Sequence, residues 1–158
     1  AAAEVAEHDA VTADDEAAGE DIVLTRVEFL GRDGEPVASP IHGDPFTIRI
    51  HYDAVRPVQD PVFGIALFSA SGIHLTGTNT QIDAITTGRL QGRGAIDFAI
   101  GQLPLTPGEF ELSVSIADKH VQHLFERRER EWRLAVRHGS GLPPHGLMDL
   151  RGEWRLGS

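Results

Sequence analysis

Residues 61–80 read PVFGIALFSASGIHLTGTNT, a stretch that combines an apolar strand, a tight turn and a polar cluster. Phe63, Ile65 and Leu67 alternate with small residues, as side chains do on a half-buried strand. The SASG sequence that follows supplies the serine and glycine that favour a chain reversal. The pattern therefore predicts a β-hairpin whose return strand, residues 73–78, leads into several short hydrogen-bonding side chains.

The same period of two recurs on both sides of the hairpin. Half-buried strands are predicted wherever apolar residues alternate, at residues 23–29, 46–52, 96–100, 110–116 and 132–136. In the first of these runs the odd-numbered residues are expected to share one face. Turn signals recur about every 8 to 12 residues, which is typical of all-β sandwiches. We therefore predict an all-β fold, an antiparallel β-sandwich of the immunoglobulin-like or jelly-roll-like kind, with eight or nine strands.

The composition fits one folded domain preceded by an acidic linker. The chain has 158 residues, 41% of them apolar, no cysteine, and no apolar run long enough for a membrane helix. Residues 1–20 are rich in alanine and acids, which favours a flexible segment. We predict a linker over residues 1–20, whose upstream partner has been cut away, and a folded domain over residues 21–158 that does not insert into a membrane.

The distribution of charge argues against a nucleic-acid partner. Of the 24 acidic residues, eight lie in residues 1–21, where there is no Lys or Arg, so the remaining 16 nearly balance the 14 bases. The basic cluster of Arg127, Arg128 and Arg130 is interrupted by glutamates. A nearly neutral domain suits a neutral glycan better than a phosphate polymer.

Motifs that carry catalysis or cofactors are not found. The sequence contains no GxxxxGK[ST], no GxSxG and no HExxH. Asp83 with Asp97 is the only carboxylate pair considered for glycoside hydrolysis, and its separation cannot be read from sequence. His120 and His123 have the closest approach to a metal spacing, but positions i and i+3 of a strand face opposite sides. We predict no catalytic residue, no cofactor and no metal site.

The hairpin sequence FGIALFSASGIHLTGTNT resembles the C-terminal carbohydrate-binding domain of Wzt, the ATP-binding component of O-antigen polysaccharide ABC transporters. GDPFTIRIHYDA, LPLTPGEFELSVSIAD and a late tryptophan-bearing strand fit the same family, so the resemblance spans roughly residues 21–156. It implies a cytoplasmic binding module at the inner face of the inner membrane, with O-antigen polysaccharide as ligand. It also implies a homodimer, a nucleotide-binding domain upstream and a transmembrane transporter subunit as partners.

No residue matches a sugar ligand of that family, so candidate ligands come from outward-facing polar positions. The carbohydrate-binding candidates are Arg49, His51, His74, Asn79, Asp83, Ser113, Ser115 and Asp118. Arg49 and His51 are expected on one polar face, and His74 with Thr76 on another. Ordinary solvent exposure is the alternative for each candidate, and for Asn79 a structural turn is a second alternative. Both tryptophans are expected to be core residues.

The C-terminal sequence predicts a hinge followed by a last strand. Residues 137–146, RHGSGLPPHG, favour a hinge or long loop, whereas the alternation in residues 147–156 predicts a strand with one buried face. We predict that two copies exchange this strand, because Pro143 and Pro144 favour an extended path. A wide loop that returns the strand to its own subunit is the alternative. The second function considered is a structural or dimerising sandwich without a glycan site.

Overall fold

The computed structural model of the protein describes residues 19–157, which form seven β-strands and no helix. The strands are β1 (Ile22–Leu30), β2 (Phe46–Gln59), β3 (Val62–Ser69), β4 (His74–Asn79), β5 (Arg89–Ile100), β6 (Gly108–Ala117) and β7 (Leu124–Val136). They form two antiparallel sheets, ordered β1-β2-β5 and β4-β3-β6-β7. Two antiparallel sheets that pack face to face around one core form a β-sandwich. The predicted all-β sandwich is therefore confirmed.

The inner faces of the two sheets meet in one apolar core. Phe46, Ile48 and Ile50 of β2 are buried, as is every second residue of β6 from Phe110 to Ile116. Each such side chain contributes about 1.5–3 kcal/mol when it is removed from water. Trp132 packs against the same core, as predicted from the sequence.

A β-bulge in β1 changes which residues of that strand face the core. The pairing with β2 shifts between Leu24 and Arg26. Ile22 and Leu24 are buried before the bulge, and Val27 packs against the core after it. The prediction that the odd-numbered residues of 23–29 share one face is wrong, because one inserted residue reverses the alternation.

The predicted hairpin is formed by β3 and β4. Its register runs from Gly64 opposite Asn79 to Phe68 opposite His74. The buried hydroxyl of Ser69 accepts a hydrogen bond of 3.0 Å from the backbone N–H of Ile73 and so closes the turn. Gly72 has φ of 92°, a conformation that glycine adopts without steric cost.

The predicted last strand, residues 147–156, is not formed within the single chain. Met148 makes only an isolated bridge with Leu105. Leu150, Trp154 and Leu156 are fully exposed, so the expectation that Trp154 is a core residue is wrong for the isolated chain. The apolar alternation predicted a covered face, but no element among residues 19–157 covers it. The described strands therefore number seven, not eight or nine.

The predicted linker, residues 1–20, lies outside the described residues except for Gly19 and Glu20. Glu20 Oε2 lies 2.8 Å from His123 Nε2, beside the turn between β6 and β7. The chain therefore enters the sandwich at the end where that turn lies.

Candidate functional site

The outer face of the four-stranded sheet has a floor of small residues, Gly64, Ala66 and Gly77. Two rows cross the three strands β4, β3 and β6: Asn79–Gly64–Ser115 and Gly77–Ala66–Ser113. Gly77 is exposed, Ala66 half-buried and Gly64 buried, so the solvent-facing part of the floor lies at Ala66 and Gly77. Because the floor residues carry at most a methyl group, this part of the face has little side-chain relief.

Two polar side chains lie directly above this floor. A methyl group added at Gly64 would lie 2.7 Å from the hydroxyl oxygen of Ser115. One added at Gly77 would lie 3.2 Å from Nε2 of His74. The Ser115 hydroxyl and the His74 imidazole therefore occupy space that larger floor residues would take.

An aromatic pair stands at one end of the floor. The rings of Phe68 and His74 stack with centroids 4.9 Å apart and an angle of 29° between planes. The guanidinium of Arg130 lies 5.5 Å from the centre of the Phe68 ring and donates a hydrogen bond to Glu111. His74 reaches Phe68 from β4 and Arg130 reaches it from the β7 side, so the ring is bordered from both directions.

Arg130 reaches Phe68 because β7 bulges opposite Ser113. Leu112 pairs with Trp132 and Val114 with Arg128, so residues 129–131 all face one residue of β6. Arg130 has φ of 53°, a left-handed conformation that is uncommon for a residue other than glycine and costs about 1–3 kcal/mol. Its backbone N–H donates a 2.8 Å hydrogen bond to the Ser113 hydroxyl, which holds the bulge in place.

Four of the eight predicted ligands lie on this face: His74, Asn79, Ser113 and Ser115. Asn79 also has the structural role considered for it, since its Oδ1 accepts a hydrogen bond from the N–H of Ile82 at 2.7 Å. The expectation that His74 and Thr76 share a face is wrong. A bulge at the Leu67–Phe68 step turns Thr76 toward the space between the sheets.

Arg49 and His51 lie on the outer face of the other sheet, so they do not join the four residues above. Arg49 donates two hydrogen bonds to Asp97, of 2.7 and 2.8 Å, and they hold the pKa of Asp97 below its usual range and raise that of Arg49. His51 Nε2 lies 2.5 Å from Glu28 Oε1, and this hydrogen bond is the main reason that the pKa of Glu28 is lowered. An open cavity of about 570 Å³ lies beside His51.

The last two predicted ligands, Asp83 and Asp118, belong to neither face. Asp83 lies in the exposed loop between β4 and β5. Asp118 Oδ1 accepts hydrogen bonds from the backbone N–H groups of Gln122 and His123, at 2.7 and 3.0 Å. The carboxylate of Asp118 therefore closes the turn between β6 and β7.

Sequence reasoning missed Phe68, Glu111 and Arg130. An outward position for Phe68 follows from the alternation that places Phe63 and Leu67 inward. The bulge that carries Arg130 has no comparable signal, because residues 126–133 are a run of Arg and Glu that predicts only a solvated strand edge.

A small apolar cleft separates the open edges of β4 and β5. It has a volume of about 80 Å³ and is lined by side chains of both sheets, including Ile65, Leu67, Phe98 and Ile100. Thr78 also lines the cleft, and its buried hydroxyl has no hydrogen-bond partner among residues 19–157. The two sheets are thus less tightly closed along this side of the sandwich.

Within residues 19–157 no group of three or more His, Cys, Asp or Glu side chains is arranged to hold a metal ion. Asp97 lies on β5 and is hydrogen-bonded to Arg49, whereas Asp83 lies in the loop between β4 and β5. The two carboxylates considered for glycoside hydrolysis therefore lie on different elements. No helix in the same part of the chain is long and apolar enough to cross a membrane.

These features define a class: an all-β sandwich domain with a polar outer face on its four-stranded sheet. A model of the Wzt C-terminal domain family matches residues 15–150. The chain belongs to that family, which is associated with O-antigen ABC transport. A solved structure described as the C-terminal domain of Wzt superposes with a TM-score of 0.76 at 17% identity, covering 87% of this chain and 84% of that chain. Comparison with curated protein sequences gives no match.

Proposed function

We propose that this domain is a non-catalytic module that binds a bacterial O-antigen polysaccharide for export by an ABC transporter. Its binding face is the outer face of the four-stranded sheet. The observation that carries this proposal is the floor of small residues, Gly64, Ala66 and Gly77, beside the outward ring of Phe68. Aromatic rings bury apolar area, and a few placed polar groups orient a bound molecule. Membership of the Wzt family supports the class of ligand.

Hydrogen-bonding groups are available around the floor. The Asn79 oxygen is used in its loop, but its NH₂ group keeps two donors. The Ser113 hydroxyl accepts a hydrogen bond from Arg130 and can still donate its own proton. Ser115 and His74 lie directly above the floor. Such short, adjacent donors and acceptors match the hydroxyl groups of a sugar ring.

The outer face of the three-stranded sheet suits a glycan less well. The guanidinium of Arg49 and the imidazole of His51 are already hydrogen-bonded to Asp97 and Glu28. Arg49 uses two of its N–H donors on Asp97, whereas Arg130 uses one on Glu111, so Arg49 keeps fewer donors for a ligand. We therefore assign the polysaccharide to the four-stranded sheet, although Arg49 and His51 were candidates from the sequence.

Calorimetric titration of the domain with O-polysaccharide from the organism that encodes it tests the proposal. We expect saturable binding that weakens about tenfold or more when His74 or Ser115 is replaced by alanine. Arg93→Ala is the matched control, since its side chain is 88% exposed on the opposite sheet. Absence of binding by the unaltered domain, or equal weakening by the Arg93 variant, would refute the assignment.

We place the domain at the cytoplasmic face of the inner membrane, as part of the parent transporter. Its partners are then a nucleotide-binding domain upstream and a transmembrane subunit. Family membership supports this location, and crosslinking from the Glu20 end of the domain in cells tests it. Crosslinks to periplasmic proteins alone would contradict it.

We further propose that the domain forms a homodimer by exchange of the predicted last strand, residues 147–156. The exchanged part is narrowed to residues 150–157, because hydrogen bonds to Thr106 and Pro104 hold residues 146–149 on their own sandwich. The exposed side chains of Leu150, Trp154 and Leu156 support this, because single-chain packing leaves this apolar surface in water. The same observation favours the alternative function, a dimerising sandwich without a glycan site. A stable dimer that binds no polysaccharide would favour that alternative.

The edge of β5 is the best acceptor for an added strand. A bulge with charged residues interrupts β7, and a bulge in β1 directs the N–H of Leu24 to Glu126. β4 has only six residues and a bulge of its own. β5 has twelve residues, and the cleft lined by Phe98 and Ile100 lies directly beside it. Long unprotected edges are where another strand adds most readily.

A further inference from the structure

We propose, resting on the proposed function, that the Arg130–Glu111 ion pair over Phe68 reads two adjacent hydroxyls of an uncharged sugar ring. The pair gives the polysaccharide face its specificity for neutral over acidic glycans. Three independent features of the structure lead to this assignment: the geometry of β7, the chemistry of the pair and the balance of charge on the face.

The geometry of β7 places the guanidinium of Arg130 over the face. Without the bulge, strand alternation alone would set the direction of this side chain. Its left-handed backbone, with φ of 53°, is held by the Ser113 hydroxyl. Bulges commonly redirect a side chain beside a functional site, and strained residues collect at such sites. The bulge therefore places the Arg130 side chain on the outer face of the four-stranded sheet.

The ion pair offers both halves of a diol-binding group. A guanidinium has five N–H donors in one plane, and Glu111 occupies only part of them. The carboxylate adds acceptor sites beside the remaining donors. Two adjacent hydroxyls, each both donor and acceptor, can bridge the pair. Arg130 is 40% exposed and Glu111 20% exposed, so both remain accessible.

Phe68 borders this group. The Arg130 guanidinium lies 5.5 Å from the centre of the Phe68 ring, and His74 stacks on the same ring, so both side chains are held against Phe68. A planar pair fixed in this way loses little freedom when a sugar binds. The exposed part of the Phe68 ring would contact the C–H groups of the sugar.

The charges on this face cancel in pairs. Arg130 is paired with Glu111, Arg127 with Glu129 and Arg133 with Glu109. A sugar carboxylate bound at the pair would be repelled by Glu111. The three arginines named above are already paired with glutamates, so they would offset little of that repulsion. A neutral sugar meets no such repulsion, which gives the expected preference.

The test uses the full domain and three forms of one polysaccharide: native, oxidised at primary hydroxyls to carboxylates, and cleaved at adjacent diols by periodate. We expect the affinity for the native form to be at least about tenfold higher than for either modified form. Arg130→Gly, which keeps the left-handed backbone, should lose this affinity, and Arg130→Lys should not restore it, since lysine lacks the planar fork. Glu111→Gln should reduce the difference in affinity between the native and the carboxylated polysaccharide.

Native polysaccharide bound equally by the domain and by Arg130→Gly would refute this inference and leave the proposed function intact. Tighter binding of the carboxylated form would also refute it. If the unaltered domain binds no form, the proposed function fails, and this inference fails with it. Arg93→Ala on the opposite sheet controls for loss of a positive charge, and melting temperatures within about 2 °C exclude misfolding.

Discussion

Gly64 lies at the centre of the small-residue floor, where the structure leaves no room for a side chain. A methyl group there would lie 2.7 Å from Ser115 Oγ but at ordinary contact distance from Asn79 and Thr78. Gly64→Ala should therefore lower the free energy of unfolding by about 1–3 kcal/mol, measured by urea denaturation. Gly64→Ala combined with Ser115→Ala should recover most of this loss, because the hydroxyl is the close neighbour. Additive losses in the double variant would contradict the steric explanation.

The Arg49–Asp97 pair predicts a contribution to acid sensitivity. The hydrogen bonds from Arg49 lower the pKa of Asp97 from its ordinary value of 3.8, so the folded state binds this proton less readily than the unfolded state. The resulting stability is present above the ordinary pKa and is lost as the pH falls through the lower, folded-state pKa. Both side chains are partly exposed, so the contribution is at most about 1 kcal/mol.

Melting temperatures of the domain and of Asp97→Asn, recorded from neutral pH to about pH 3, measure this contribution. We expect Asp97→Asn to melt lower at neutral pH and the two curves to converge as the solution is acidified. Asp83→Asn, in the exposed β4–β5 loop, should follow the unaltered domain throughout. A constant gap between the Asp97→Asn curve and that of the unaltered domain would show that the pair does not titrate as described.

At the residue scale, alternation along a strand predicts which side chains face outward, but it fails at bulges. It correctly gave the outward positions of Arg49, His51, Ser113 and Ser115. It could not show that Arg49 and Ser115 lie on different sheets, because assignment to a sheet depends on which strands pair. The position of Arg130 depends on backbone strain that a run of Arg and Glu does not reveal.

One buried hydroxyl supports the β3–β4 hairpin, in addition to the backbone hydrogen bonds that Ser69 N–H and Gly72 N–H donate within the turn. Ser69 Oγ accepts the N–H of Ile73 and also lies 2.9 Å from the Ser71 hydroxyl. Ser69→Ala would leave the Ile73 N–H without this acceptor and should cost about 1–2 kcal/mol of unfolding free energy, measured by urea denaturation. Ser71→Ala is the matched control, because Ser71 is exposed and should have a much smaller effect. Equal effects of the two substitutions would show that the Ser69 bond is not the stabilising one.

Among the elements, the hairpin was the most predictable. A regular apolar strand, a Ser/Gly turn and a return strand are all local in sequence, and local patterns need no knowledge of the rest of the fold. The segment 147–156 has an equally regular pattern yet forms no strand in the single chain. The alternation indicates that the apolar face of this segment is buried in a contact. It does not indicate whether that contact is with the same chain or with a second copy.

The proposed homodimer can be tested without disturbing the fixed part of the tail. Removing residues 150–158 deletes Leu150, Trp154 and Leu156, each of which would forfeit about 1.5–3 kcal/mol of burial in an exchanged dimer. We expect the intact domain to sediment as a dimer at micromolar concentration and the shortened domain as a monomer of lower melting temperature. Serine at Leu150, Trp154 and Leu156 in a chain of full length is the control for shortening. A monomeric intact domain would rule out exchange.

The attachment of the tail limits how two copies can be arranged. Thr106 donates hydrogen bonds from its hydroxyl to the carbonyl of Gly146 and from its N–H to that of Leu147, and the N–H of Asp149 bonds to the Pro104 carbonyl. At the other end of the predicted hinge, Arg137 is hydrogen-bonded to Pro40 and His42. If these contacts persist, residues 137–149 stay with their own sandwich, and the pivot lies after Asp149.

The maximum reach of the tail then follows from chain length. Residues 150–157 extend at most about 3.3–3.6 Å each, less than about 30 Å in all. In the single chain Arg151 contacts Gln102, so the tail leaves Asp149 close to the end of β5. In the proposed dimer the two sandwiches would therefore approach each other near this end. Glu20 lies at the opposite end of the sandwich, beside His123, so the exchanged tail and the Glu20 end are kept apart.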